Sequence, residues 1–386
     1  MTQKHCYQPV TARDYRRLAE KRLPRFLFDY VDGGAGREQS LADNQNDFSR
    51  YRLRQRVLRD VEQVDTASEL GGRRVSMPVA LAPIGLAGMM ARRGEAIGAR
   101  AAARAGVPFT LSTVGVCPLE EVNAAAEESC WFQLYMLRDR GFVESLLENV
   151  RARGCQTLMF TVDGPVAGMR HRDTQNGMLG GAAWIRALQL ATRPRWLLDV
   201  GVKGKPHEFG QLVEVVDGPN GFKAFKAFID AQLDPCLTPE TIEWLRSRWP
   251  GRLLVKGVMS AEDALAVADA GADGVVVSNH GGRQLDGAVS TIRKLPEVVE
   301  AAGERLEVLM DSGVRCGSDV VKAVALGASG VLIGRPWIWA MAARGEAGLS
   351  DYLAMLRQEI TVTMALMGVN RVGDLGPELL EMNPPD

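Results

Sequence analysis

The feature that most constrains this chain is an eightfold alternation of short apolar runs with alanine-rich helical stretches. The runs are Val79–Pro83, Phe109–Ser112, Trp131–Tyr135, Leu158–Val162, Leu253–Lys256, Gly274–Ser278, Val308–Asp311 and Gly330–Ile333. Between most of them lie segments with helical spacing, such as Gly94–Ala105, Phe142–Arg153, Ala261–Ala270 and Ser318–Leu326, several ending on glycine. Strand and helix in alternation predict a parallel sheet of α/β class.

The polar residues choose between a closed barrel and a long open sheet. Each run gives way at once to polar residues or glycine: Ser112, Gln133 with Tyr135, Thr161 with Asp163, Lys256, Asn279 with His280, Asp311 with Gly313, and Gly334 with Arg335. A (β/α)8 TIM barrel gathers these ends at one mouth, whereas an open sheet spreads them along an edge. A single barrel with insertions accommodates 386 residues, so one domain over 1–386 is expected, its barrel at 79–368.

Two segments fall outside the repeats. Residues 11–36 read as two helices, one capped by Thr11 and one starting near Pro24 and stopping at Gly33-Gly34, covering one barrel end. The interval 165–239 is a long insertion between the fourth and fifth strands. It carries Trp184, Ile185, Leu188, Trp196 and Leu197 among Arg186, Arg193, Arg195, Lys203 and Lys205, the pattern of a lid or of a basic amphipathic surface for an anionic membrane.

Lys and Arg (46) balance Asp and Glu (47), which removes the electrostatic case for nucleic acid. Six cysteines without a CxxC pair suggest neither a disulfide framework nor a metal site, and fit a reducing compartment. No apolar stretch has the length of an export signal or a spanning helix.

The densest chemical signal is Ser278-Asn279-His280-Gly281-Gly282-Arg283-Gln284-Leu285-Asp286. The two glycines let the chain turn tightly, so that a base (His280) and a carboxylate anchor (Arg283) share one pocket. Asp163 fits the partner that orients His280, and Arg170 a second carboxylate contact. Lys256 closes the fifth strand, where a cation can stabilise negative charge on a bound cofactor. Asp311-Ser312-Gly313-Val314-Arg315 and Gly334-Arg335 end the last two strands, where barrels often hold phosphate. Tyr30 and Tyr135 offer phenols to a carboxylate or to a developing ketone oxygen. HExxH, GxxxxGK[ST] and a strand–helix GxGxxG are absent.

Taken together, SNHGGRQLD, FDYVDGGA, WFQLY, FTVD, LLVKG, DSGVRCGSDVVKAVALGA and LIGR resemble the FMN-dependent 2-hydroxy acid dehydrogenases and oxidases. ARRGE, FTLSTV and CPLEEV are similar to the bacterial respiratory L-lactate branch, with L-mandelate dehydrogenases as cousins. The resemblance implies oxidation of an L-2-hydroxy acid, with L-lactate first, L-mandelate or another 2-hydroxy acid as alternatives, and a non-redox FMN barrel enzyme as the rival class. It further implies a quinone acceptor, a homo-oligomer (a tetramer in the family), and a cytoplasmic enzyme peripheral to the inner face of the membrane.

By the same resemblance His280, Asp163 and Arg283 are catalytic, while Tyr30, Tyr135, Arg170 and Arg283 contact substrate. Pro83, Ile84, Gly85, Ser112, Gln133, Thr161, Lys256, Ser278, Asp311, Ser312, Gly313, Arg315, Gly334 and Arg335 would hold FMN; no metal is implied. Gly85 sits where oxidases of the family tend to carry alanine, which implies a dehydrogenase slow with oxygen. Met169 and His171 depart from the alanine and tyrosine usual in the lactate branch.

Overall fold

A computed structural model describes residues 8–176, 178, 183–212 and 231–382. Cys6 and the parts of the 165–239 insertion at 177, 179–182 and 213–230 lie outside the described residues.

The eight runs form eight parallel strands: β1 (Val79–Leu81), β2 (Thr110–Ser112), β3 (Trp131–Tyr135), β4 (Thr157–Thr161), β5 (Arg252–Val258), β6 (Gly274–Val277), β7 (Glu307–Met310) and β8 (Gly330–Ile333). Each pairs with its sequence neighbours, β8 pairs with β1, and a parallel bridge from Leu81 to Phe109 closes the ring. The strands read as unbroken apolar runs because both faces are buried. Outward residues such as Leu81, Phe132, Phe160, Val255 and Val277 join the helical layer. Inward residues (Ala80, Met159, Leu254, Val276, Leu309, Leu332) fill the interior.

A hairpin, Ser68–Leu70 with Arg73–Val75, plugs the N-terminal end of the barrel. Its Leu70 and Val75 pack with Trp131 in the interior cluster. Gly71 and Gly72 both take left-handed φ (58° and 73°), as a two-residue hairpin turn requires. Glu307 locks the plug, accepting from Gly71 N at 2.8 Å and from Arg252 Nη2 at 3.0 Å.

At the N-terminus, Thr11 caps helix Ala12–Arg22 by accepting from Asp14 N at 3.2 Å. The helix packs on the final helix, Arg335–Leu366, with Tyr15 edge-on to Tyr352 at 5.9 Å. A second helix, Arg25–Asp32, starts after Pro24 and ends at Gly33, beside the barrel mouth.

Within the insertion, Trp184, Leu188, Leu198 and Val202 are exposed, with Leu197 partly so and Arg195, Lys203 and Lys205 beside them. Trp196 departs from the amphipathic surface expected of it: it is buried, and its Nε1 donates to Met89 O at 2.9 Å. Pro194 starts a new helical turn, so residue 196 does not continue the face that carries 184 and 188. Arg193 also turns inward, donating to Leu23 O at 3.0 Å.

A Cβ at Gly71 would stand 2.5 Å from the Trp131 ring at a φ that alanine resists. Gly71→Ala is therefore expected to destabilise the protein by about 1–3 kcal/mol. Thermal unfolding checks this, and an unchanged midpoint would show that the plug is not wedged.

Candidate active site

Past β6 the backbone makes a turn that few residue types tolerate. His280 has φ 57°, followed by Gly281 and Gly282 at 69° and 70°. Hydrogen bonds from the turn hold this conformation: His280 N to Ser278 Oγ (3.1 Å), Gly281 N to Ser312 Oγ (2.9 Å) and Gly282 N to Asn279 Oδ1 (3.1 Å). Asn279 is fixed in turn by a reciprocal amide pair with Asn44 at 2.8 and 2.9 Å.

The turn sets His280 Nδ1 2.8 Å from Asp163 Oδ1, with Nε2 3.5 Å from Tyr135 Oη. Burial works against the charge on Asp163, but His280 and Lys256 outweigh it and hold the carboxyl below its ordinary range. An ionised carboxylate only accepts, so the Nδ1 proton points at Asp163 and Nε2 faces the cavity beside Tyr135 Oη. Asp163 comes this close because Gly257 lies beside it in a β-bulge after Lys256, where a Cβ would be 2.6 Å from Asp163 Cβ.

Lys256 is buried, donating to Ser278 Oγ at 2.8 Å and pairing with Asp311 Oδ2 at 3.1 Å. Burial disfavours its charge, yet Asp311 and Asp163 outweigh that and push the amine above its ordinary value. It is a fixed cation at neutral pH.

Guanidiniums crowd the cavity around the end of helix Arg25–Asp32. Arg283 and Arg170 lie over the Tyr30 ring, at 5.1 and 5.9 Å from its centre. Arg283 Nη1 donates to the carbonyls of Tyr30 (2.6 Å) and Gly33 (2.9 Å). Arg335 donates to Asp32 O (3.2 Å) and to the same Gly33 O (2.8 Å), and Arg315 stacks over Trp339 at 5.1 Å. Burial pushes Arg283, Arg315 and Arg335 below their ordinary values, and repulsion from other guanidiniums adds to this. Buried cations crowded in this way call for anions. Beside them the Asp311–Arg315 loop is bare backbone at Gly313, where a Cβ would meet Asn44 O at 1.8 Å.

Several buried polar atoms here have no protein partner: Gln133 Nε2, Thr161 Oγ1 and Arg315 Nε. Ser112 Oγ donates to Gln133 Oε1 at 2.8 Å and so fixes which way that amide points. A ligand with ring acceptors at one end and a phosphate at the other satisfies these groups, and flavin mononucleotide is such a ligand.

Of the residues singled out from the sequence, all but Ser112, Gln133, Asp163 and Ser278 line the cavity directly, and these four border it. Ser278 serves Lys256 and the His280 turn. Sequence reasoning missed Gln284 as a clamp: its Nε2 donates to the carbonyls of Asp163 (2.7 Å) and Val166 (3.0 Å), and its Oε1 accepts from Gly168 N (3.0 Å). It also missed Asp173, Val114 and Leu233 on the wall. Leu233 arrives from the far end of the insertion through a bridge to Leu137, a pairing with no local signal. At Gly85 a Cβ would lie 2.7 Å from Val114 Cγ2 and 3.3 Å from Tyr30 Oη.

Comparison with known proteins shows the family. A family model described as FMN-dependent dehydrogenase matches residues 19–382. The chain is 52% identical over 373 residues to an L-lactate dehydrogenase of Caulobacter vibrioides (strain NA1000 / CB15N), covering 96% of this chain and 97% of that one. It is 47% identical over 372 residues to an L-lactate dehydrogenase of Alcaligenes faecalis, covering 96% and 98%. The crystal structure of the monotopic membrane protein (S)-mandelate dehydrogenase matches with a TM-score of 0.92 at 38% identity, over 98% of this chain and 100% of that one.

The cation-rich end separates two flavins that differ by a phosphate. Arg335→Met is expected to weaken FMN binding by at least ~10-fold while riboflavin binding changes little, as loss of a charge-assisted contact would do. Titration of flavin-free protein with each flavin measures this, and equal losses would place the phosphate elsewhere.

Proposed function

The chain belongs to the FMN-dependent dehydrogenase family, and from that membership we propose that it oxidises L-lactate to pyruvate and passes the electrons to a membrane quinone. When bound, FMN would supply the acceptor for the two electrons of the hydroxy acid's oxidation. The observation that carries this reading is the Asp163–His280 contact, whose Nε2 shares a cavity with Arg170 and Arg283.

In this reading Arg170 and Arg283 bind the substrate carboxylate, and the backbone contacts of Arg283 hold its fork in place before substrate arrives. Tyr30 and Tyr135 present their phenols to the same ligand. Burial, followed by the nearby carboxylate of Asp163, pushes the Tyr135 phenol up, so it stays a donor through the physiological range. His280 Nε2 receives the proton that the substrate releases, and ionised Asp163 stabilises the resulting imidazolium. Lys256 and Asp311, with the 311–315 loop, Gly334 and Arg335, would hold the cofactor, and Lys256 would offer it a fixed positive charge.

Lactate is favoured over larger hydroxy acids by the identity to lactate dehydrogenases along the whole chain. The two departures from that branch do not touch the cavity: Met169 is 73% exposed, His171 is exposed, and neither lines it.

L-Lactate added without air is expected to bleach the yellow flavin faster than L-mandelate, glycolate or longer hydroxy acids do. His280→Gln should keep its flavin and lose roughly 10³-fold in reduction rate, because only the base is removed. Rapid bleaching by the variant would reassign the base; no bleaching of the native protein by any L-2-hydroxy acid would favour non-redox chemistry.

For the acceptor, the exposed Trp184, Leu188, Leu198 and Val202, flanked by Arg195, Lys203 and Lys205, suit an anionic bilayer surface. No helix among the described residues is long and apolar enough to cross a membrane. The double variant Trp184→Glu/Leu188→Glu should lose sedimentation with anionic vesicles while keeping lactate-driven flavin reduction. Unchanged sedimentation would assign this face to a lid or a subunit contact instead.

A further inference from the structure

The mechanism leaves one buried carboxylate of the cavity wall unused. Asp173 sits in the short helix His171–Gln175, is 2% exposed and lines the same cavity as Arg170 and Arg283. Its Oδ2 stands 3.5 Å from Arg170 Nε, too far for a good hydrogen bond, and that Nε has no other partner. Arg283 is also within electrostatic reach. The backbone fixes Asp173 on both sides: its N–H donates to Arg170 O at 3.2 Å, and its carbonyl accepts from Met178 N at 2.9 Å.

The other charges facing Asp173 are Asp29 and Arg172. These two largely answer each other and their own network, for Arg172 Nη1 lies 3.7 Å from Asp29 Oδ1 and 2.9 Å from Asp32 Oδ2. Against the two guanidiniums assigned to the substrate carboxylate, Arg170 and Arg283, stands one fixed carboxylate, which burial raises above its ordinary range. That pair is short of one negative charge, which a monocarboxylate supplies and a dicarboxylate exceeds.

Resting on the hydroxy acid reading above, we propose that Asp173 determines the charge class of the substrate: as a built-in counter-anion to Arg170 and Arg283, it restricts the site to monocarboxylates. A ligand with a second carboxylate meets Asp173 as an uncompensated like charge. At an effective dielectric near 20, a unit charge about 6 Å away changes binding of an extra charge by roughly 10- to 100-fold. A side chain that only propped Arg170 would weaken every carboxylate alike.

The test compares propionate with malonate at pH 8, both read from the change they cause in the flavin absorbance of FMN-loaded protein. Native protein should bind malonate no more tightly than propionate. Asp173→Asn, which keeps the shape and removes the charge, should tighten both anions, and malonate by at least a further ~10-fold relative to propionate, because malonate carries the second charge. Equal loss for both anions, or an unchanged ratio, would overturn the proposal, as would native protein that already prefers malonate by ~10-fold. Should Asp173→Asn fail to retain FMN, Asp173→Ser carries the same comparison, and the native measurement stands by itself. The readout needs no turnover, so failure of L-lactate to reduce the flavin would sink the parent reading and still leave this one measurable.

Discussion

The Asp163–His280 contact exists because loops from separate strands are locked to one another before any ligand enters. Gly257 yields the space that Asp163 occupies, and Gln284 ties the backbone beyond Asp163 to the loop that carries His280. Asn279 and Asn44 brace the same turn from behind. The backbone strain at His280, a non-glycine residue with φ 57°, is sustained by these bonds. An imidazole held this way keeps one tautomer and one direction.

Two of the cavity's guanidiniums are met by backbone. Helix Arg25–Asp32 ends at the mouth, and carbonyls of Tyr30, Asp32 and Gly33 accept from Arg283 and Arg335. The last carbonyls of a helix lack internal partners and carry partial negative charge, so two buried guanidiniums and one helix terminus satisfy each other. Asp32 is itself fixed by Arg16 at 2.6 Å and Arg172 at 2.9 Å. The N-terminal segment and the insertion therefore help to build the cavity rather than merely cover it.

Sequence made the strand order legible because buried parallel strands must be apolar throughout and their ends must turn polar. It made His280, Arg283 and Lys256 legible because each is a costly residue at the close of an apolar run. Gln284 stayed hidden, although it stands within the motif, since an amide declares its role only when the carbonyls of Asp163 and Val166 are in place. Leu233 was beyond reach for another reason: its position depends on one bridge to Leu137, formed across an insertion with no periodicity to follow. Trp196 misled because aromatic content was read as a continuous face across Pro194, where the helical phase is reset.

The hairpin wedged beneath the barrel has a kinetic corollary. Leu70, Val75 and Trp131 seal the floor, so the fuel and its spent form share the opposite end as their doorway. Traffic through one doorway is sequential: the keto acid must depart before the next hydroxy acid can settle. Retention of the product would then throttle the catalyst from within.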